Sequence, residues 1–217
     1  MDRLRNQNPI LLILWGVLLA ASLVALVVGF WELAFVALLT LGLCMAPLFL
    51  ASRYSITVPF PFLIATTLFI SGSIFMGEAF GFYERVWWWD LALHGSSAIG
   101  FGLIGFLFIF MLFEGDRYAA PPVAIAFLSF CLAVTVGSLW EIFEYAMDSI
   151  FGLNMQKSGL DDTMGDLIVN GIGAIIGAVS GYFYLKGRER RLFAPFIRQF
   201  VDANRNLYHR AKDKLRR

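Results

Sequence analysis

The chain has 217 residues, 59% of them hydrophobic and only 15% charged, with a net charge of +1 at pH 7. Soluble domains are about 45–50% apolar and about a quarter charged, so this balance excludes an ordinary soluble fold and points to an integral membrane protein. A net charge so near zero offers no electrostatic case for a nucleic-acid partner.

A bilayer core of ~30 Å takes roughly 20 mostly apolar residues per helical span. Six segments meet that length, at about residues 10–30, 33–51, 60–80, 91–113, 122–147 and 167–185. Runs of this length exclude barrel strands, leaving helices as the only spanning structure. The fold class is therefore all-α: a polytopic six-transmembrane-helix bundle over residues 1–186. Residues 187–217 form a separate basic tail. The first span follows Arg3 and Arg5 like a signal sequence. It runs longer than the ~7–15 residues of a signal core, and so reads as an uncleaved anchor. Prolines 59, 61, 121 and 122 stand at the entrances of the third and fifth spans, where first-turn N–H groups have no helical partner to lose. The two cysteines, Cys44 and Cys131, sit inside apolar runs and read as reduced core residues.

Lysine and arginine placement sets the expected orientation. Arg3, Arg5, Arg53, Arg117 and the arginine-rich tail lie on one side, against Arg85 and Lys157 on the other. Both termini are thus expected to be cytoplasmic. Three tryptophans, Trp87 to Trp89, fit an interfacial aromatic belt better than a stacking site for substrate. In the tail, Leu192, Phe193, Phe196, Ile197, Phe200 and Val201 recur at helical spacing, followed by Leu207, Tyr208, Ala211 and Leu215. Basic residues fill the opposite face. A cationic amphipathic helix on anionic lipid is expected, the alternative being a solvated basic tail. His209 belongs to this tail and is given no catalytic role.

Ionisable groups gather at the outer ends of three consecutive spans. The fourth opens with "WDLALHG", placing Asp90 and His94 one turn apart. The fifth closes with "LWEIFEYAMD", whose Glu141, Glu144 and Asp148 share a face at i, i+3 and i+7. The sixth opens with "DDTMGDLIVNG", giving Asp162, Asp166 and Asn170 at four-residue spacing. Intramembrane acids are costly and normally face a bundle interior, a wet cavity or a partner. So many close carboxylates repel one another, and a bound cation removes the conflict. Carboxylate, imidazole and amide oxygen suit a divalent metal ion such as Mg, Mn, Fe or Zn. A structural polar network and a proton or cation pathway are the alternatives. Glycines 173, 177 and 181 on the sixth span, with 95, 100, 102 and 105 on the fourth and 137 on the fifth, mark these helices for close packing. The first three spans, almost free of charge, read as a lipid-facing layer.

These residues resemble those of the YjdF-like group of bacterial inner-membrane proteins. That group carries an aspartate four residues before a histidine, then an aromatic-Glu-x-x-Glu element, then a "DTQxDM"-like element followed by Gly-Ala. Asp90 and His94, "WEIFE" from Trp140 to Glu144, "DTMGD" from Asp162 to Asp166, and Gly173 with Ala174 are similar. VanZ-like proteins share a weaker pattern resembling Asp166, Asn170 and Gly173. Met164, Gly165, Gly95 and Ser96 depart from the group. The resemblance implies a fold and a site location, and no reaction.

Three functions follow. The first is an intramembrane metal-dependent enzyme acting on a lipid or lipid-linked substrate at the outer leaflet. Asp90, His94, Glu141, Glu144 and Asp166 would hold the metal, and Glu144 or Asp162 would act as general base. Ser96 and Ser97 adjoin His94 without forming a nucleophilic relay. The second is a small cation or proton transporter using the same acids, and the third a non-enzymatic membrane scaffold. Membrane lipids, with anionic lipid at the tail, are the expected partners, and a homo-oligomer stays open.

Overall fold

The computed structural model describes residues 9–113 and 120–206. Arg3, Arg5, Arg117 and the tail from Leu207 onward, with His209, lie outside the described residues. The chain is an all-helical membrane protein: six helices are long and apolar enough to cross a bilayer, and among the described residues there is no strand. Its contacts resolve into two compact units, Met1–Trp89 and Asp90–Arg217.

The first unit comprises α1 (Pro9–Val28), α2 (Trp31–Arg53), α3 (Phe60–Ile70) and the short α4 (Phe82–Arg85). Leu11, Trp15, Leu18, Cys44 and Leu63 form its core, and the Ser22 hydroxyl donates to the Ala34 carbonyl at 3.2 Å. The third span continues from α3 as a π-helical segment, Ser71–Ala79. There the Tyr83 ring occupies the space a side chain at Gly77 would need, and Ser73 and Tyr83 share a hydrogen bond of 3.0 Å. Trp87 and Trp88 are exposed, as an interfacial belt requires. Trp89 departs from that reading: its ring packs against Phe82 and its indole N–H donates to the Gly72 carbonyl at 3.1 Å.

The second unit is built from α5 (Trp89–Leu112), α6 (Pro122–Phe151), α7 (Leu160–Leu185) and α8 (Ala194–Ala203). Two of these helices outrun their hydropathy. α6 continues a turn past residue 147 and stops at Gly152, whose φ of +68° closes the helix. α7 starts at Leu160, two turns before the apolar run, so Asp162, Asp166 and Asn170 are all helical. Asp161 and Asp162 occupy its first turn, where backbone N–H groups favour negative charge. Both cysteines are free, as expected; Cys44 is buried and Cys131 half-buried.

Small residues bring α5 and α7 into backbone contact. A Cβ on Gly177 would lie 2.8 Å from the Ile99 carbonyl oxygen. One on Gly173 would collide with the Gly95 carbonyl oxygen and come within 2.9 Å of the Ala98 methyl. The glycine stripe is therefore consumed inside this unit. The tail helix α8 packs its own apolar face back onto the unit, with Ala194 and Ile197 fully buried and the Phe193 N–H donating to the Ser180 hydroxyl at 3.3 Å. Part of the stripe expected to meet lipid thus meets protein, while Arg198 stays exposed and pairs with Glu189 at 3.7 Å.

Candidate metal centre

The close approach of α5 and α7 sets what can meet near their N-terminal ends. Asp90 and His94 occupy one face of α5 because four residues make about one helical turn. The same period places Asp166 and Asn170 on one face of α7, and Glu141 with Glu144 on one face of α6. On α6, Gly137 leaves room for Asn170: a Cβ there would lie 2.8 Å from the amide nitrogen. Ser129 of α6 donates to the Gly102 carbonyl of α5 at 2.6 Å, tying the third side. His94, Glu141, Glu144, Asp166 and Asn170 are all buried, Asp166 to 1% exposure and Glu141 to 5%.

The His94 ring is the centre of the arrangement. Its Nε2 is 3.5 Å from Asp90 Oδ1 and 4.0 Å from Asp166 Oδ2. Its Nδ1 is 3.4 Å from Glu141 Oε1 and 3.4 Å from the Asn170 amide nitrogen. Two sets of donor atoms each lie within 4.8 Å of one another: Asp90, His94 and Asp166, and His94, Glu141 and Glu144. Metal ligands at about 2.0–2.6 Å from a common ion sit at mutual separations of roughly this size.

The hydrogen-bond inventory is lopsided. Trp140 donates its indole N–H to Glu144 Oε1 at 2.9 Å. Both carboxylate oxygens of Glu141, both of Asp166 and one of Asp162 are buried with no hydrogen-bond partner among the described residues. A buried charge costs several kcal/mol unless it is paired and hydrogen-bonded. Acceptor-only oxygens converging around an imidazole are what a hard or borderline divalent cation requires.

A loop adds the one cation seen at the cluster among the described residues. Asp148 accepts the backbone N–H groups of Met155 at 2.7 Å and Gln156 at 2.9 Å. Gln156 donates its side-chain amide to the Thr163 hydroxyl at 2.7 Å. So fixed, the loop brings Lys157, at a φ of +37° unusual for a non-glycine residue, to 3.4 Å from Asp90 Oδ2.

The structure thus brings Asp90, His94, Glu141, Glu144 and Asp166 together around one ring. Asp148, though at i+7 from Glu141, staples the loop and belongs to neither donor set. Asp162 also lies outside both sets, one turn before Asp166. Ser96 and Ser97 donate to the carbonyls of Leu93 and His94 at 3.0 and 2.8 Å, and form no relay with the ring. Two further residues join the cluster: Trp140 through Glu144 and Asn170 through the His94 ring. Their signals were present, since Trp140 stands four residues from Glu144 and Asn170 four from Asp166.

Residues 10–187 match the family described as "Predicted membrane protein (DUF2238)", which bears out the resemblance to the YjdF-like group. An uncharacterised protein of Thermotoga maritima is 35% identical over 127 residues, 57% of this chain and 65% of the relative. The match thus takes in just under two thirds of that protein's length. No solved structure matches the chain.

Proposed function

The chain belongs to the DUF2238 family of predicted membrane proteins, and from that premise we propose that it is a divalent-cation-dependent enzyme working on a lipid or lipid-linked substrate inside the membrane. The observation that carries this reading is the set of buried, unpartnered carboxylate oxygens on Glu141 and Asp166 facing His94 from membrane-spanning helices. His94, Glu141, Glu144, Asp90 and Asp166 are the ligands available to a cation, in the two sets that meet at the ring. Asp90 and Asp166, on the Nε2 side, also fix the ring's orientation. A bound divalent ion supplies Lewis acidity and a more acidic water. Glu144 keeps one oxygen under the Trp140 N–H and offers the other as general base; Asp162, at the mouth of α7, is the alternative base. Lys157 adds positive charge for an anionic headgroup entering beside Asp90.

The cluster faces the non-cytoplasmic leaflet of a bacterial inner membrane, with both termini in the cytoplasm, where the basic tail of residues 187–217 meets anionic lipid. Lysine and arginine placement supports this orientation. Away from the cluster, polar side chains donate to backbone carbonyls. Ser129 donates to the Gly102 carbonyl, Ser180 to that of Ile176 and Thr135 to that of Cys131. That pattern favours an enclosed site over a conducting path.

The test is elemental analysis of protein purified without chelators, alongside mass spectrometry of a bacterial lipid extract incubated with it. At least one equivalent of a divalent metal is expected, with turnover of a lipid species that Glu144→Gln abolishes. Far less than one equivalent after loading with Mg, Mn, Fe and Zn defeats the proposal.

A further inference from the structure

The two donor sets share only one residue, and that residue cannot serve both at once through a single ion. The two ring nitrogens of His94 meet different acids: Nε2 pairs with Asp90 and Asp166, and Nδ1 with Glu141, whose donor set also holds Glu144. A cation with ligands at about 2.0–2.6 Å sits on one side of the ring or on the other. Each side nevertheless carries its own orphan: Asp166 on the first, Glu141 on the second, both more than nine-tenths buried and with neither oxygen hydrogen-bonded among the described residues. One ion relieves one of them.

Charge points the same way. Asp90, Glu141, Glu144, Asp162 and Asp166 set five carboxylates against the one ammonium of Lys157. With all five ionised, four negative charges remain beside a neutral ring, and two divalent cations cancel them where one does not. We infer that the cluster holds two divalent cations, one at His94 Nδ1 with Glu141 and Glu144, the other between Asp90 and Asp166 on the Nε2 side. A neutral imidazole accepts through one nitrogen and donates from the other. His94 therefore ligates the first cation and gives its N–H to a carboxylate that ligates the second. This inference rests on the cation site proposed above and fixes its nuclearity.

The test loads full-length protein in detergent with Mn²⁺, removes free metal, and reads equivalents per chain and electron paramagnetic resonance. Two equivalents with a spectrum broadened by spin–spin interaction are expected. Asp166→Asn and Glu141→Gln should each retain one equivalent with an unbroadened spectrum. Where either variant fails size-exclusion chromatography, Asp90→Asn and Glu144→Gln replace it for the same side. One equivalent in the wild type overturns the second position while leaving the proposed cation site standing, and so does a single variant that empties the protein. A variant that keeps both ions overturns the assignment to its side. No bound Mn²⁺ in a protein that also takes up no Mg, Fe or Zn removes the site and the inference together.

Discussion

Replacing Gly173 by alanine separates the packing account of the site from a purely local one. The added Cβ would meet the Gly95 carbonyl oxygen, the Ala98 methyl at 2.9 Å and the Ile99 backbone nitrogen at 3.2 Å. Two of the three are backbone atoms, so no rotamer change relieves the contact, and α5 and α7 must move apart. Overpacking of this kind costs about 1–3 kcal/mol, against ~0.5–1 kcal/mol gained because alanine suits a helix better than glycine. The net is a loss of up to about 2.5 kcal/mol, with a middle value of about 1 kcal/mol, roughly five-fold in the folded-to-unfolded ratio. Gly171, two residues earlier on the same helix, has nothing within 4 Å of its would-be Cβ, so Gly171→Ala should be neutral or up to ~1 kcal/mol more stable. Because Gly173 lies against the turn that follows His94, the displacement should also pull the ring from Asp166 and weaken Mn²⁺ binding; Gly171→Ala should not. The assay is reversible unfolding in mixed micelles by titrated denaturing detergent, with Mn²⁺ affinity measured on both variants. Equal stability and equal affinity in the two would refute the claim that backbone contact between α5 and α7 builds the site.

Trp140→Phe keeps the ring and removes the N–H on Glu144 Oε1, and should weaken cation binding about 10–100-fold with the fold intact by circular dichroism, which calorimetric titration checks. Asp148→Ala strips the acceptor from two backbone N–H groups and should cost about 1–3 kcal/mol, read as faster proteolysis between α6 and α7, with metal stoichiometry unchanged. Chelation should lower the unfolding midpoint, and a free divalent cation at a hundredfold its Kd should restore about 2.7 kcal/mol per site; a midpoint indifferent to chelator contradicts a cation bound to the folded state. Ile197→Ala opens a cavity where α8 docks and should raise amide exchange across residues 194–203, leaving α5 to α7 protected.

The sequence alone settles the parts of this protein that depend on near neighbours along the chain. Six spans follow from the length of apolar runs against the thickness of a bilayer, and the pairing of Asp90 with His94, or of Asp166 with Asn170, follows from helical period. These are properties of one helix in one solvent. Hydropathy misplaces the start of α7 and the end of α6 for a reason equally local: a window counts polar residues against a span. Backbone hydrogen bonding continues through them because main-chain groups make it whatever the polarity of the side chain.

Which acids converge is decided by how each helix is rotated against the others, and no single stretch of sequence encodes that. Asp148 has the right spacing to join Glu141 and Glu144, yet it bonds the loop behind Gly152 because the chain turns there. Gly137, Gly173 and Gly177 read only as places where something comes near; the fold shows that Asn170, Gly95 and Ile99 are what comes. The division of the cluster into two sides, each with its own unpaired carboxylate, exists only once the His94 ring stands between them.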